Sequence, residues 1–331
     1  MNDTPFTDFC NPPDSTDLGQ AHSERVIPSN ACGVIVLDKP EGMTSSAVVQ
    51  WVRKRLHIKK TGHCGTLDPF ATGVLLVCIN QATRISDQFL DQDKEYLFTL
   101  HLGVETDTLD RTGTVTRVYD GAACSVEELR EAMNRFRGTF VQKVPRYAAV
   151  KIQGKRLYQL SRQGIAFEPP SREVHVRSIE LISYEWPHAV MKVSCSKGTY
   201  VRRLASDIGR ILQCGAHVST LRRTASGSFS VEQALTLDRL ERHAMDPARC
   251  AAFVSMAEAL EHLPAVTMGD EAMLERLKNG CLDSAWIAEH LQVFGGCGTP
   301  VRILTPRRLL AALWWPDRDE EKERRLRVFH F

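Results

Sequence analysis

The stretch TGHCGTLDPFATGVLLVCI, Thr61–Ile79, sets His63, Cys64 and Asp68 among small residues and then turns into an apolar run. Gly62, Gly65 and Gly73 allow tight backbone, and Pro69 pushes Asp68 away from helical angles, so residues 59–73 read as a loop. VLLVCI then reads as a buried strand. Three polar side chains compete for any chemistry there. His63 and Cys64 are neighbours, which in an extended chain point to opposite sides, poor geometry for a dyad. A nucleophilic Cys64 would suit methylation at C5 of a pyrimidine, but no methyl-donor site accompanies it, and it reads as a small filler. Asp68, with a reference pKa of about 3.9, is charged at neutral pH and can attack without an activating base. Spacing alone reads it more readily as a turn aspartate accepting from local N–H groups.

Upstream, ACGVIVLDK (Ala31–Lys39) is a short apolar run that predicts a buried strand. PEGMTSS follows as a turn, with Thr44, Ser45 or Ser46 as a helix cap. The next helix buries Val48, Val49, Val52 and Leu56 and keeps Arg53, Lys54 and Arg55 largely off that stripe. Downstream, KEYLFTLHLG alternates, so Tyr96, Phe98, Leu100 and Leu102 share one face of a half-exposed strand. A capped helix is expected from Ser125 to its stop at Gly138, a strand from Met191, and a helix over Thr199–Leu212. After about residue 250 two short helices and strand-like PVRILTPRRLLAALWWP predict a second, small domain. Hairpin-like strands with interspersed helices give an α+β fold class rather than a doubly wound sheet.

Net charge over the 331 residues is only +2, so the chain is no polycation. The basic residues are nevertheless segregated. From Ala132 to Phe167 there is no Asp or Glu, while Arg135, Arg137, Lys143, Arg146, Lys151, Lys155, Arg156 and Arg162 all fall there. Acid-free windows also run from Trp186 to Ser206 and from Ile208 to Val231. Such segregation predicts a positive face for a polyanion such as RNA, unless acids from elsewhere in the fold neutralise it. The ten cysteines have no C-x-x-C pair, which argues against structural zinc and fits reduced thiols in the cytoplasm. Residues 1–31, polar and rich in Pro, Ser and Asp, read as a disordered tail without the basic start and apolar run of a secretion signal. The Gly-rich loop lacks the G-K-[ST] ending of a phosphate loop, no G-x-G-x-x-G appears, and the H-x-E pattern of zinc base deaminases is missing.

GHCGTLDPFATGVL resembles the active-site motif of the bacterial tRNA pseudouridine synthase family that acts on the T-loop uridine conventionally numbered 55. Further blocks carry the same resemblance: LDKPEGMTS, DKEYLFTLHLGVETDTLDRTG, VPRYAAVKIQGKRLYQLSRQG, VSCSKGTYVRRLASDIG and GAHVSTLRRTASGSF, in order from about Gly33 to about residue 235. SMAEALEHLPAV and LKNG resemble, less specifically, that family's small PUA-like tail. The resemblance implies a pseudouridine synthase fold with a mixed, mostly antiparallel central sheet flanked by helices. It implies a catalytic domain over 32–250, an RNA-gripping insertion at about 140–172, and a PUA-like domain over 251–331.

The resemblance also carries roles. Asp68 takes the place of the catalytic aspartate, Tyr96 of the tyrosine that stacks on the target base, and Arg202 of the arginine that pairs with the aspartate. Tyr200 and Leu221 match residues packed around the uracil. His63 matches a histidine that holds the opened RNA loop, and Lys39 a lysine beside the site. Arg146, Lys151, Lys155 and Arg156 are expected to grip RNA phosphates. Two departures lie in the insertion: Ala148 stands where the family usually has Ser, and Val144 replaces a small or polar residue. The implied reaction breaks the C1′–N1 bond, turns the uracil and rejoins it through C5. Only the C5 proton is exchanged, so no cofactor or metal is implied, and the expected partner is the tRNA T-arm, bound by a monomer without a protein partner. Two other readings remain: a guide-RNA-dependent synthase of related type, and an RNA-binding protein with an inactive site.

Overall fold

The computed structural model describes residues 30–152, 154–243, 252–317 and 326–331, without the side chains of Lys151, Arg156 and His243. The disordered tail expected over residues 1–31 therefore falls mostly outside the described residues. At its inner end Ala31 packs against the core, and its carbonyl accepts from Asn80 Nδ2 at 2.7 Å.

Alternating and continuous apolar runs assemble one ten-stranded sheet. Across it lie Phe253–Ser255, Gly33–Lys39, Thr72–Ile79, Ala216–Ser226, Lys94–Leu102, His188–Cys195, Ser171–Glu185 and Gly138–Lys143, with Thr61–His63 and Phe229–Ser230 paired off this path. All pairs are antiparallel except one: Ala216–Ser226 runs parallel to Thr72–Ile79, through Arg222 opposite Thr72 and Arg223 opposite Gly73. That junction joins two halves, each with its own core. The Thr72–Ile79 run is buried on both faces and packs with Val48, Val52 and Leu56 of the Ser45–Arg55 helix. Thr44 caps that helix, its Oγ1 accepting from Ala47 N–H at 3.0 Å. The second core collects Phe98, Leu100 and Leu102 with Leu204, Ala205 and Ile208 of the Val201–Ile211 helix. The expected face of the Lys94–Leu102 strand is thus the buried one.

Helix initiation also follows local chemistry. Ser125 and Glu128 form a reciprocal cap on the Val126–Asn134 helix. Between the edge strand Gly138–Lys143 and its partner Ser171–Glu185, residues 144–170 leave the sheet. They carry the Lys151–Ile152/Lys155–Arg156 hairpin and the Leu157–Arg162 helix around a small cluster of Val144, Ala148, Leu157 and Leu160.

A separate four-stranded sheet, Ala265–Thr267, Val301–Leu304, Leu310–Trp314 and Leu326–Val328, packs with the helices Glu271–Lys278 and Ser284–Phe294. The strand Phe253–Ser255, expected in the small C-terminal unit, instead extends the large sheet by pairing with Gly33–Lys39. The reason is local: a Cβ on Gly33 would lie 2.5 Å from the Val254 carbonyl oxygen, so only glycine admits that neighbour.

Candidate active site

Asp68 sits on a loop strung between the two cores. Cys64 is buried in the first, Leu67, Phe70 and Ala71 in the second. Ser45 braces the loop: its hydroxyl accepts from Leu67 N–H at 2.9 Å and donates to the Leu67 carbonyl at 3.1 Å. The Pro69 carbonyl accepts from Gly42 N–H (2.8 Å) and from Lys39 Nζ (3.2 Å). Lys39 is fully buried and also donates to the Pro40 and Met43 carbonyls. Burial lowers its pKa to about 8, against the pull of the Asp68 carboxylate. Lys39 therefore acts on the loop from behind and is not among the residues lining the cleft.

Arg202 enters from the first turn of the Val201–Ile211 helix. Its Nε lies 2.8 Å from Asp68 Oδ2 and its Nη2 3.1 Å from Oδ1, a bidentate pair. The same guanidinium donates to the carbonyls of Thr108 (2.7 Å) and Tyr147 (2.9 Å), and Nη1 lies 3.4 Å from Asp110 Oδ2. The arginine side chain is 3% exposed and the Asp68 side chain 32%. The cation is sealed and the carboxylate faces open space. Asp110, itself buried, accepts from Thr108 Oγ1, Thr112 Oγ1 and Thr112 N–H at 2.5–2.9 Å, which satisfies the oxygen not turned to Arg202.

A cleft of about 610 Å³ opens over Asp68, ample for a nucleoside. Tyr96, Tyr200, Arg202 and Leu221 line it with Asp68, as do Ala148 and Arg223. Tyr96 and Leu221 arrive through sheet register: Tyr96 opposes Arg223 and Leu221 opposes Phe98, so all four share one face. Tyr96 is half-buried; burial pushes its hydroxyl pKa up, opposed by the positive charge of Arg223. Tyr200 precedes the Val201–Ile211 helix. Its N–H donates to Gln142 Oε1 (2.8 Å), its carbonyl accepts from Gln142 Nε2 (3.2 Å), and Arg172 lies 5.5 Å over its ring. Gly73 permits the central crossing: its φ is +102°, and a Cβ there would stand 2.2 Å from the Arg223 carbonyl oxygen.

The remaining predicted residues lie apart from this cluster. His63 ends the Thr61–His63 strand opposite Val77 and does not line the cleft. Arg146 and Lys155 are exposed on residues 144–170, Arg146 over the Phe167 ring; the side chains of Lys151 and Arg156 lie outside those described. Ala148 and Val144 are both core residues of that segment. Cys64 packs 3.2 Å from the Cys78 sulfur, away from solvent. Among the described residues no group of three or more His, Cys, Asp or Glu could hold a metal ion, and no helix is long and apolar enough to cross a membrane.

Sequence reasoning missed Asp110, Ser45's brace, Arg223 and Lys94. Lys94 carried a signal: it is two residues before Tyr96 on the buried face, where a lysine is out of place. It is 7% exposed and spends its ammonium on the Phe89, Leu90 and Gln92 carbonyls; burial brings its pKa to about 8. Some arginines of the acid-free windows do meet acids from elsewhere in the fold. Asp38, lying outside them, pairs with Arg222, and Asp207, between two of them, with Arg203 and Arg210.

Residues 53–201 match the family model described as TruB family pseudouridylate synthase, N-terminal domain, and residues 202–261 match the tRNA pseudouridylate synthase B C-terminal domain. A protein of Syntrophobacter fumaroxidans named tRNA pseudouridine synthase B is 57% identical over 297 residues, 90% of this chain and 97% of that protein. One of the same name from Bordetella pertussis is 48% identical over 236 residues, 70% of this chain and 93% of that protein. Among solved structures, a chain of a Cbf5–Nop10–Gar1 complex superposes with a TM-score of 0.66 at 29% identity, covering 90% of this chain and 84% of that one.

Proposed function

This chain belongs to the TruB family of pseudouridylate synthases, and from that premise we propose that it isomerises the T-loop uridine 55 of tRNAs to pseudouridine, with Asp68 as nucleophile. The observation that carries the reading is the open Asp68 carboxylate fixed by the sealed Arg202 in a nucleoside-sized cleft. The uridine leaves its loop to reach the cleft. Flipping costs a few kcal/mol, offset in part by stacking on an aromatic ring, the task assigned to Tyr96. Asp68 then attacks C1′ of the sugar or C6 of the base. The bidentate pair with Arg202 keeps it ionised and aimed. Leu221 and Tyr200 exclude water that would hydrolyse a cleaved intermediate. Tyr96 assists removal of the C5 proton. Exposed Arg146 and Lys155, together with Lys151 and Arg156, bear on phosphates of the T-arm, and His63 on the opened loop.

On this reading the enzyme works without cofactor or protein partner, as a cytoplasmic monomer. Residues from Ala265 onward form a PUA-like unit, and 144–170 an RNA-gripping insertion. The likeness to a chain of a Cbf5–Nop10–Gar1 complex favours a reading with protein partners, but at 29% identity it weighs less than the 57% match to a protein named tRNA pseudouridine synthase B. The test is to incubate the protein with an unmodified tRNA transcript and map pseudouridine by mass spectrometry. Conversion at the T-loop position, abolished when that uridine is replaced by cytidine, is expected. Modification at other positions alone would contradict the assignment.

A further inference from the structure

Two adjacent arginines in the Ala216–Ser226 strand are treated in opposite ways. Arg222 has 37% of its side chain exposed and pairs with both oxygens of Asp38 at 2.7 and 3.0 Å. Arg223 is 1% exposed, and its guanidinium is held by main-chain carbonyls rather than by a carboxylate. Its Nε donates to the Val74 carbonyl at 2.7 Å and its Nη2 to the Gly65 carbonyl at 3.1 Å, neutral partners that fix the group without cancelling its charge. A buried cation left so is costly unless an anion meets it at some stage of function. Arg223 is built into the cleft: it lines it, lies opposite Tyr96 in register, and is two residues from Leu221 on the same face. Gly65, also lining the cleft, lies beside Nη1, which a Cβ there would meet at an ordinary contact distance of 3.5 Å. The other buried cations, Lys39 and Lys94, each spend their ammonium on three main-chain carbonyls. Arg202 is already matched by Asp68 and Asp110.

We infer that Arg223 is a catalytic counter-charge for the uracil ring while that ring is anionic. The inference rests on the isomerase reading above. When an Asp68 oxygen bonds C1′ and the C1′–N1 bond breaks, the electron pair leaves with N1 and the uracil becomes a monoanion spread over N1, O2 and O4. When C5 attacks C1′, the pair returns to the new bond, the Asp68 carboxylate is released, and the C5 proton passes to a base and N1 gains one. Attack at C6 instead pushes the pair onto O4, so the ring carries the charge by either route. A guanidinium held rigid in a water-poor cleft stabilises such developing charge without reorganising.

The test uses two T-arm hairpins, with uridine or 5-fluorouridine at the target position. Single-turnover loss of the starting nucleoside is followed by chromatography at saturating protein. Fluorine withdraws electrons and makes uracil a better leaving anion, so it needs less help. Arg223→Gln should slow the uridine hairpin about 100-fold and the fluorinated one by no more than about tenfold. Arg223→Lys should lie between wild type and Arg223→Gln. The ratio of the two rates on one preparation cancels the folded fraction, and if Arg223→Gln does not fold, the same ratio in Arg223→Lys decides. Equal slowing of both hairpins, or none, would overturn the inference while leaving the isomerase reading intact. Wild-type protein that converts neither hairpin would overturn that reading and this one together.

Discussion

The loop that presents Asp68 and the segment 144–170 are both excursions from one sheet, and they are built in contrary ways. The loop is short, anchored in a core at each end, and braced by Ser45, Lys39 and Arg202. The segment is longer and holds itself around four buried residues. Its ties to the site are few: the Tyr147 carbonyl on Arg202, the Tyr147 hydroxyl on Asp107, and Tyr200 against its core. Groups that must be placed to within a fraction of an ångström sit on the heavily braced element, and groups that meet an extended polyanion sit on the lightly held one. Arg202 touches both, so docking of the segment bears on the same side chain that aims the carboxylate.

Variants can break this division of labour. After loss of the Asp68 carboxylate itself, the largest effect is expected from Arg202→Met, which should lower the single-turnover rate about 10³-fold while hairpin affinity stays within about threefold of wild type. Loss of affinity with an unchanged rate would reverse the roles of the two regions. Asp110→Asn removes a charge from the far side of the guanidinium and should cost about 10- to 100-fold in the same rate. Ser45→Ala leaves the buried Leu67 N–H and carbonyl without their shared partner and should cost about 1–3 kcal/mol in unfolding free energy, read by urea titration. On the other region, Lys155→Ala should weaken hairpin binding only a few-fold and reduce the salt dependence by about one unit of slope, with the chemical rate unchanged.

The smallest effect is a pH drift. Burial brings Lys39 down to about 8 in the folded protein from its ordinary 10.5, so between these values the unfolded chain holds more protons. The burial cost is fully present below pH 8 and relieved as pH rises toward 10.5. The stability of wild type relative to Lys39→Met should therefore climb across that window in thermal melts; a flat difference would place the lysine in a less buried setting.

Much of this arrangement was legible in the sequence, and the limits have physical causes. The Lys94–Leu102 alternation put Tyr96, Phe98, Leu100 and Leu102 on one face, as strand register requires, but whether Tyr96 met solvent or the core was open in the sequence, and it is half-buried. The Ser45–Arg55 stripe and the Ser125 cap were equally local. Asp110 was not readable, since its value comes from Arg202, distant in sequence, although the surrounding Thr106, Thr108 and Thr112 hint at a self-bonded turn. Which window arginines would be neutralised was not readable, because acids in a fold come from other segments: Asp68, Asp110, Asp38 and Asp207 all lie outside the windows whose arginines they meet. Phe253–Ser255 escaped because a three-residue edge strand is specified by a gap at Gly33, which no local pattern announces.

The central claim is that the Asp68 carboxylate forms and releases a bond to the nucleotide. Its most direct test is release of tritium from C5 of the target uridine in a T-arm hairpin by wild-type protein and by Asp68→Asn. The account predicts full release by wild type and none by the amide variant, which still binds the hairpin within about threefold of wild type, since Asp68 acts in the reaction step rather than in uniform binding. Undiminished release by the amide variant would contradict it.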